Sequence, residues 1–243
     1  MLAIIRVILV IIFSLIICIF GIFYCLLNPR RLNNATLFGH LFGSMAPIFG
    51  ITVEMRNFLG NQFSKNYVYI VNHQNNYDMV TVSCAMQPNT VTIGKSNLFW
   101  IPLFGQLYWL SGNILIDRRI WNIQRTRSIL INIIKLIKIY RLSVWIFPEG
   151  TRNYGRKLLP FKTGAFYIAL VAKIPIVPIC MSNINNKIKL NRWSNGLVII
   201  EIMPPIEIYF CELDQVRRIS AYCHKIMELK IDALNREVKL RES

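Results

Sequence analysis

The sequence predicts an α/β domain built on a single mixed sheet, preceded by an N-terminal membrane helix or helical hairpin. Two observations carry this. Residues 7–27 form an apolar run that no charge interrupts. After about residue 60, short β-rich runs alternate with longer helical patterns, the signature of a partly parallel sheet flanked by helices. Residues 1–60 are thus assigned to anchoring and residues 61–243 to the α/β domain.

The composition agrees with a chain that meets a membrane. Of 243 residues, 54% are hydrophobic and only 16% charged, where a soluble domain carries roughly a quarter. Mean hydropathy is +0.41. The formal net charge is +16, from 28 Lys+Arg against 12 Asp+Glu. Such a surface suits nucleic acid, anionic lipid or acidic substrates. The sequence has no zinc-finger spacing, no RNA-binding aromatic signature and no dense Lys/Arg run, so nucleic acid is disfavoured. Anionic lipid fits the hydrophobicity. The six cysteines contain no CxxC pair, and Cys18 and Cys25 fall in the apolar run. They read as packing thiols of a reduced compartment, neither a disulfide framework nor a metal site.

The run at 7–27 is long enough to cross a bilayer, which takes about 20 residues. Phe23, Tyr24 and Cys25 do not resemble a small-residue cleavage site, so a retained anchor is expected. Arg6 precedes the run, and Arg30 and Arg31 follow it. The excess of positive charge after the run places the domain in the cytoplasm. A second apolar stretch, 35–53, is broken by His40, Pro47 and glycines. With the first it forms, as the alternative to a span, a hairpin that dips into one leaflet.

In the domain, strands are expected at 67–71, 91–93, 113–116, 143–147, 176–181 and 197–203. Helices are expected at 78–86, 120–140, 162–172 and 214–238. In the last, Val216, Ile219, Cys223, Ile226, Lys230, Leu234 and Val238 recur at three- and four-residue steps, an amphipathic helix laid on a core.

The chemistry concentrates first at Asn72-His73-Gln74-Asn75-Asn76-Tyr77-Asp78, where a β run enters a polar turn. A neutral imidazole can take a proton from an alcohol, and a carboxylate on its other nitrogen fixes the tautomer. Five residues of regular helix or strand would separate the two side chains, so a turn must bring them together. Asp78 can equally cap the helix expected there. Spacing alone leaves both readings open.

Three further segments follow: Gly112-Asn-Ile-Leu-Ile-Asp117-Arg118, Phe147-Pro148-Glu149-Gly150-Thr151-Arg152 and Ile174-Pro175-Ile176-Val177-Pro178. In order and spacing, with Asn72-His73-x4-Asp78, they resemble the four motifs of the glycerolipid acyltransferase family. Gly94-Lys95, Trp100-Ile-Pro-Leu-Phe-Gly105 and Leu159-Pro-Phe-Lys162-Thr-Gly164 extend the likeness. The resemblance implies transfer of a fatty acyl chain from a thioester, acyl-carrier protein or coenzyme A, to the free hydroxyl of lysophosphatidic acid. It implies His73 as general base and Asp78 as its orienting partner, with no covalent acyl-enzyme, cofactor or metal. It implies that Glu149, Gly150, Thr151 and Arg152 bind the acceptor, helped by Gly112, Asp117, Arg118 and Lys95. Pro175 and Pro178 would shape the donor side. Membrane phospholipid is the expected surroundings, at a bacterial inner membrane. Asn97 stands where an acidic residue is common, and Leu115 and Ile116 where an aromatic often precedes Asp-Arg; these bear on substrate preference. Acylation of another lysophospholipid or of glycerol phosphate is the alternative. A thioesterase, or a binding protein without chemistry, fits the complete motif set less well.

Overall fold

The computed structural model describes residues 1–58, 65–117, 123–208 and 211–243. Seven strands form one mixed sheet in the order β1-β7-β6-β2-β5-β3-β4. They are β1 (Ile51–Asn57), β2 (Val68–Val71), β3 (Thr90–Lys95), β4 (Ile114–Ile116), β5 (Ser143–Ile146), β6 (Ile176–Met181) and β7 (Gly196–Ile202). Every pairing is parallel except β6 with β7. The helices are α1 (Leu2–Leu27), α2 (Asn34–Gly43), α3 (Phe104–Leu110), α4 (Ile123–Tyr140), α5 (Gly164–Ala172) and α6 (Val216–Glu242).

The central strands are buried on both faces, and their side chains alternate between two apolar layers. Tyr67, Tyr69 and Val71 join the layer that includes Ile17 and Cys18 of α1, Phe38 of α2 and Leu107 of α3. Val68 and Ile70 join the layer of Ile133 and Ile137 on α4, Phe166 on α5 and Cys223 and Met227 on α6. The six expected strands are all present, 176–181 with the expected bounds and the other five with ends shifted by one or two residues.

Three elements differ from expectation. β1 lies in the stretch read as anchor and pairs in parallel with β7. Its Ile51 and Val53 complete the apolar run that begins at residue 35, so composition hid a strand boundary. Residues 78–86 are not one α-helix but two 3-10 helices, Asn76–Val80 and Val82–Ala85. Thr81, at φ −119°, interrupts the helical path, and its hydroxyl donates to the Tyr77 carbonyl at 2.9 Å. Helix α3 was not anticipated, being only seven residues long. Of the helix expected at 120–140, residues 120–122 lie outside the described residues.

Helix α1 does not stand away from the domain. A stripe of Ile17, Cys18, Gly21 and Cys25 is buried, and a Cβ on Gly21 would sit 2.7 Å from Leu107 and from Phe38. At its start, Arg6 is buried and donates to the carbonyls of Lys189, Leu190 and Trp193 at 3.3, 3.1 and 2.8 Å. Just past its end, the Arg30 N–H donates to the Leu110 carbonyl at 3.0 Å. Both ends are therefore fastened to the same α/β body, while the opposite side, Ile4, Ile8, Ile12, Ile16, Phe20 and Phe23 among others, is exposed.

Candidate active site

The carboxyl ends of β2, β3, β4 and β5 converge on one edge of the sheet, because all four run parallel. In open α/β sheets that edge is where ligands bind. β2 delivers His73 there and β5 delivers the segment 147–152. β3 ends at Lys95, in register with Ile116 of β4, so Lys95 and Asp117 both lie at the carboxyl ends of neighbouring strands.

The turn after β2 brings His73 and Asp78 together. The Nδ1 of His73 lies 2.6 Å from Asp78 Oδ2. That carboxylate also accepts the backbone N–H groups of Gln74, at 2.8 Å, and Asn75, at 3.2 Å. Asn75 returns a cap to the Tyr77 N–H at 2.9 Å, completing a capping box. Of the two readings that spacing left open, the pairing with the histidine is formed, whereas the N-cap is Asn75 rather than Asp78, which sits at N3 and returns its carboxylate to the Asn75 N–H. Asp78 is buried while the His73 side chain keeps 19% of its surface open. The Phe147 ring stacks on the imidazole at 4.1 Å between centroids. With Nδ1 committed, Nε2 is the nitrogen able to meet an alcohol.

Glu149 closes the arrangement from β5. It is 2% exposed. Its Oε1 accepts the His73 N–H at 2.7 Å, and its Oε2 accepts the Leu159 N–H at 2.9 Å. Burial pushes its carboxyl above the ordinary value, and these N–H donors oppose the shift. Gly150 turns the chain at φ +69°, where a Cβ would meet the Lys162 side chain at 2.9 Å. Thr151 is exposed. The Nε of Arg152 is buried without a hydrogen-bond partner, the one such side-chain atom among the described residues. A buried guanidinium donor left unmatched is costly, and an anionic oxygen would satisfy it.

The structure does not bring every expected residue to this edge. Gly112 lies before the amino end of β4, at φ +97° and beside the Arg30 backbone; its conformation accounts for the glycine. Arg118 lies outside the described residues. Pro178 sits inside β6, opposite Ile70, and its carbonyl accepts the Met203 N–H at 2.9 Å. Pro175 leads into the same strand, so both prolines belong to the sheet.

Amide side chains missed in the sequence hold the site. Asn72 acts as an extra rung on β6, donating to the Met181 carbonyl at 3.0 Å and accepting the Met181 N–H at 2.8 Å. Gln74 donates to the Ser182 carbonyl at 2.8 Å and accepts the Ile184 N–H at 2.9 Å. The N–H of Asn153 donates to the His73 carbonyl at 2.9 Å. The available signal was the crowding of amides around His73, since such side chains favour local bonds to backbone.

The chain is similar to known acyltransferases. An acyltransferase family model matches residues 50–182, from β1 to the end of β6. The 1-acyl-sn-glycerol-3-phosphate acyltransferase of Escherichia coli K12 is 51% identical over 243 residues, covering 100% of this chain and 98% of that protein. The protein of the same name from Haemophilus influenzae is 46% identical over 238 residues, 98% of each chain. In fold, the chain is similar to the crystal structure of a lysophosphatidic acid acyltransferase, PlsC, from Thermotoga maritima. The TM-score is 0.65 at 20% identity, over 96% of this chain and 99% of that one. With the model spanning more than half of its length and a full-length relative half identical to it, the chain belongs to the acyltransferase family.

Proposed function

We propose that this protein transfers a fatty acyl chain from a thioester to the sn-2 hydroxyl of 1-acyl-sn-glycerol 3-phosphate, forming phosphatidic acid. The observation that carries the reading is the His73–Asp78 pair, at 2.6 Å, on the same sheet edge as the segment 149–152. The acceptor oxygen attacks the thioester carbonyl as its proton passes to Nε2 of His73. The tetrahedral intermediate collapses, the carbon–sulfur bond breaks, and the imidazolium returns the proton to the departing sulfur. Asp78 holds the tautomer and stabilises the imidazolium. Arg152, with an unmatched buried Nε, receives the acceptor phosphate, and Lys95 and Lys162 add positive charge at the same edge. Glu149 serves by holding the backbone of His73, since both its oxygens already accept N–H groups. Acyl-carrier protein and coenzyme A both remain thioester donors compatible with the site.

The attachment supports entry into one leaflet. Helix α1 has 26 residues, about 39 Å at 1.5 Å per residue, enough to cross the bilayer by length. But Arg6 and Arg30 tie its two ends to one domain. A crossing helix would carry that polar domain into hydrocarbon, at large cost. Lying in the interface, α1 presents its apolar side to lipid and keeps the sheet edge in water, on the cytoplasmic side of the inner membrane.

The test is turnover of lysophosphatidic acid by membranes containing the full-length protein, with each thioester offered separately. His73→Ala is expected to lower turnover by about 10²–10⁴-fold while the protein remains folded and membrane-bound. Near-normal turnover would remove His73 from the mechanism.

A further inference from the structure

The loop between β6 and β7 carries a feature that acyl transfer does not use. Trp193 is 80% exposed, and Lys189 and Arg192 beside it are exposed as well. A loop that displays a large aromatic is ordinarily mobile, but this one is locked. The Asn195 side chain accepts the Lys189 N–H at 2.9 Å and donates to the carbonyls of Lys189 at 3.0 Å and Phe49 at 2.7 Å. The Asn195 N–H donates to the Gly50 carbonyl at 2.6 Å. Arg6 then fills the inside of the loop, donating to three of its carbonyls. Gly50, at φ +68°, makes the room: a Cβ there would stand 2.2 Å from the Trp193 carbonyl and 2.7 Å from Arg6 Nη2. The N–H of Ala3 adds a bond to Asn191 Oδ1 at 3.2 Å.

We infer that residues 189–193 form a second membrane-contacting element, clamped by Arg6 to the first turns of α1 and seated in the headgroup region of an anionic leaflet. The loop is fastened to Ala3 and Arg6 in the first turns of α1, where Ile4, Ile5 and Ile8 are exposed, so its tryptophan stands at the same end as a surface already suited to lipid. Lys189 and Arg192 supply the charge that anionic headgroups attract. Trp is the side chain suited to that depth, with an apolar body and a polar N–H. The far end of α1 repeats the pattern: Arg30 covers the Trp109 ring at 5.5 Å, and Trp100 nearby is 77% exposed. An in-plane helix flanked at both ends by tryptophan and basic residues has two fixed points at the interface, which sets the tilt of the domain. Arg6 accordingly acts as a buried fastener to carbonyls, rather than as a charge that decides topology from the water.

The inference rests on the membrane reading of α1, and the experiment separates the two. Full-length protein is reconstituted in phosphatidylethanolamine–phosphatidylglycerol vesicles whose acyl chains are brominated close to the headgroup. Trp193→Phe removes one of five tryptophans from an exposed position, so folding is preserved. The bromolipid is expected to quench a smaller fraction of the fluorescence in the variant than in the parent. Equal or greater fractional quenching in the variant, with the protein still pelleting with vesicles in high salt, overturns the loop's role and leaves the α1 reading intact. Failure to pellet in high salt overturns both. Trp193 that stays open to aqueous acrylamide in vesicles, and becomes shielded only when an acidic carrier protein is added, assigns the loop to donor docking and likewise overturns the inference.

Discussion

Glu149→Gln asks what the buried acid does. In the parent, two carboxylate oxygens accept two backbone N–H groups, from His73 at 2.7 Å and Leu159 at 2.9 Å. An amide has one oxygen, so one N–H must face the new NH2 group. At 2% exposure water does not replace the lost acceptor. Leaving one buried donor unmatched costs about 1–3 kcal/mol. If the strain falls on the His73 backbone, the imidazole shifts relative to the acceptor hydroxyl. The same energy then appears in turnover as about a 5- to 150-fold loss of kcat. KM for lysophosphatidic acid should stay near the parent value if Glu149 acts only on the backbone, since both its oxygens already accept N–H groups. Steady-state kinetics against acceptor concentration, with thermal unfolding in parallel, measures both. A raised acceptor KM with unchanged kcat would refute the positioning role and restore Glu149 to the acceptor site. The pH dependence gives an independent check. The folded carboxyl is raised above its ordinary value by burial, so its contribution to stability is complete below that ordinary value and is lost as pH rises through the folded one. The Gln variant should show no such decline.

Two further outcomes follow from the same contacts. Arg152→Ala should raise the acceptor KM, and Arg152→Lys should be impaired as well, because the planar guanidinium fork is lost while the charge remains; a rise confined to the thioester KM would reverse the placement of the two substrates. Glu54, Arg56, Glu237 and Arg241 clasp β1 to α6, with Arg241 and then Arg56 holding Glu54 below the ordinary carboxylate value and Arg56 doing the same for Glu237. Their contribution is present above that ordinary value and is lost as pH falls through the lowered one, so Arg56→Ala should flatten the acid limb of a stability curve and weaken its salt dependence; an unchanged acid limb would show that the clasp contributes nothing.

The sequence by itself determined which chemistry the chain carries and where the central strands lie. Val68–Val71, Ile176–Met181 and Ser143–Ile146 are short, β-branched or aromatic runs ended by polar turns, and a strand buried on both faces leaves that imprint locally. His73 and Asp78 could be singled out because the resemblance rests on short motifs, each made of residues close in sequence on one turn. What depends on distant partners was not. β1 is a strand because β7, well over a hundred residues later, pairs with it. Glu149 is held by N–H groups 76 residues before it and 10 after, and no local pattern records such bonds. Gly112 shares a motif with Asp117, yet a strand runs between them and carries the two to opposite ends. Arg6 reads from sequence as a flanking charge, and only folding, by wrapping residues 189–193 around its guanidinium, turns it into a buried fastener. Hydrophobic periodicity is set within a few residues of chain, whereas a buried polar group is satisfied by whichever backbone the tertiary fold brings to it.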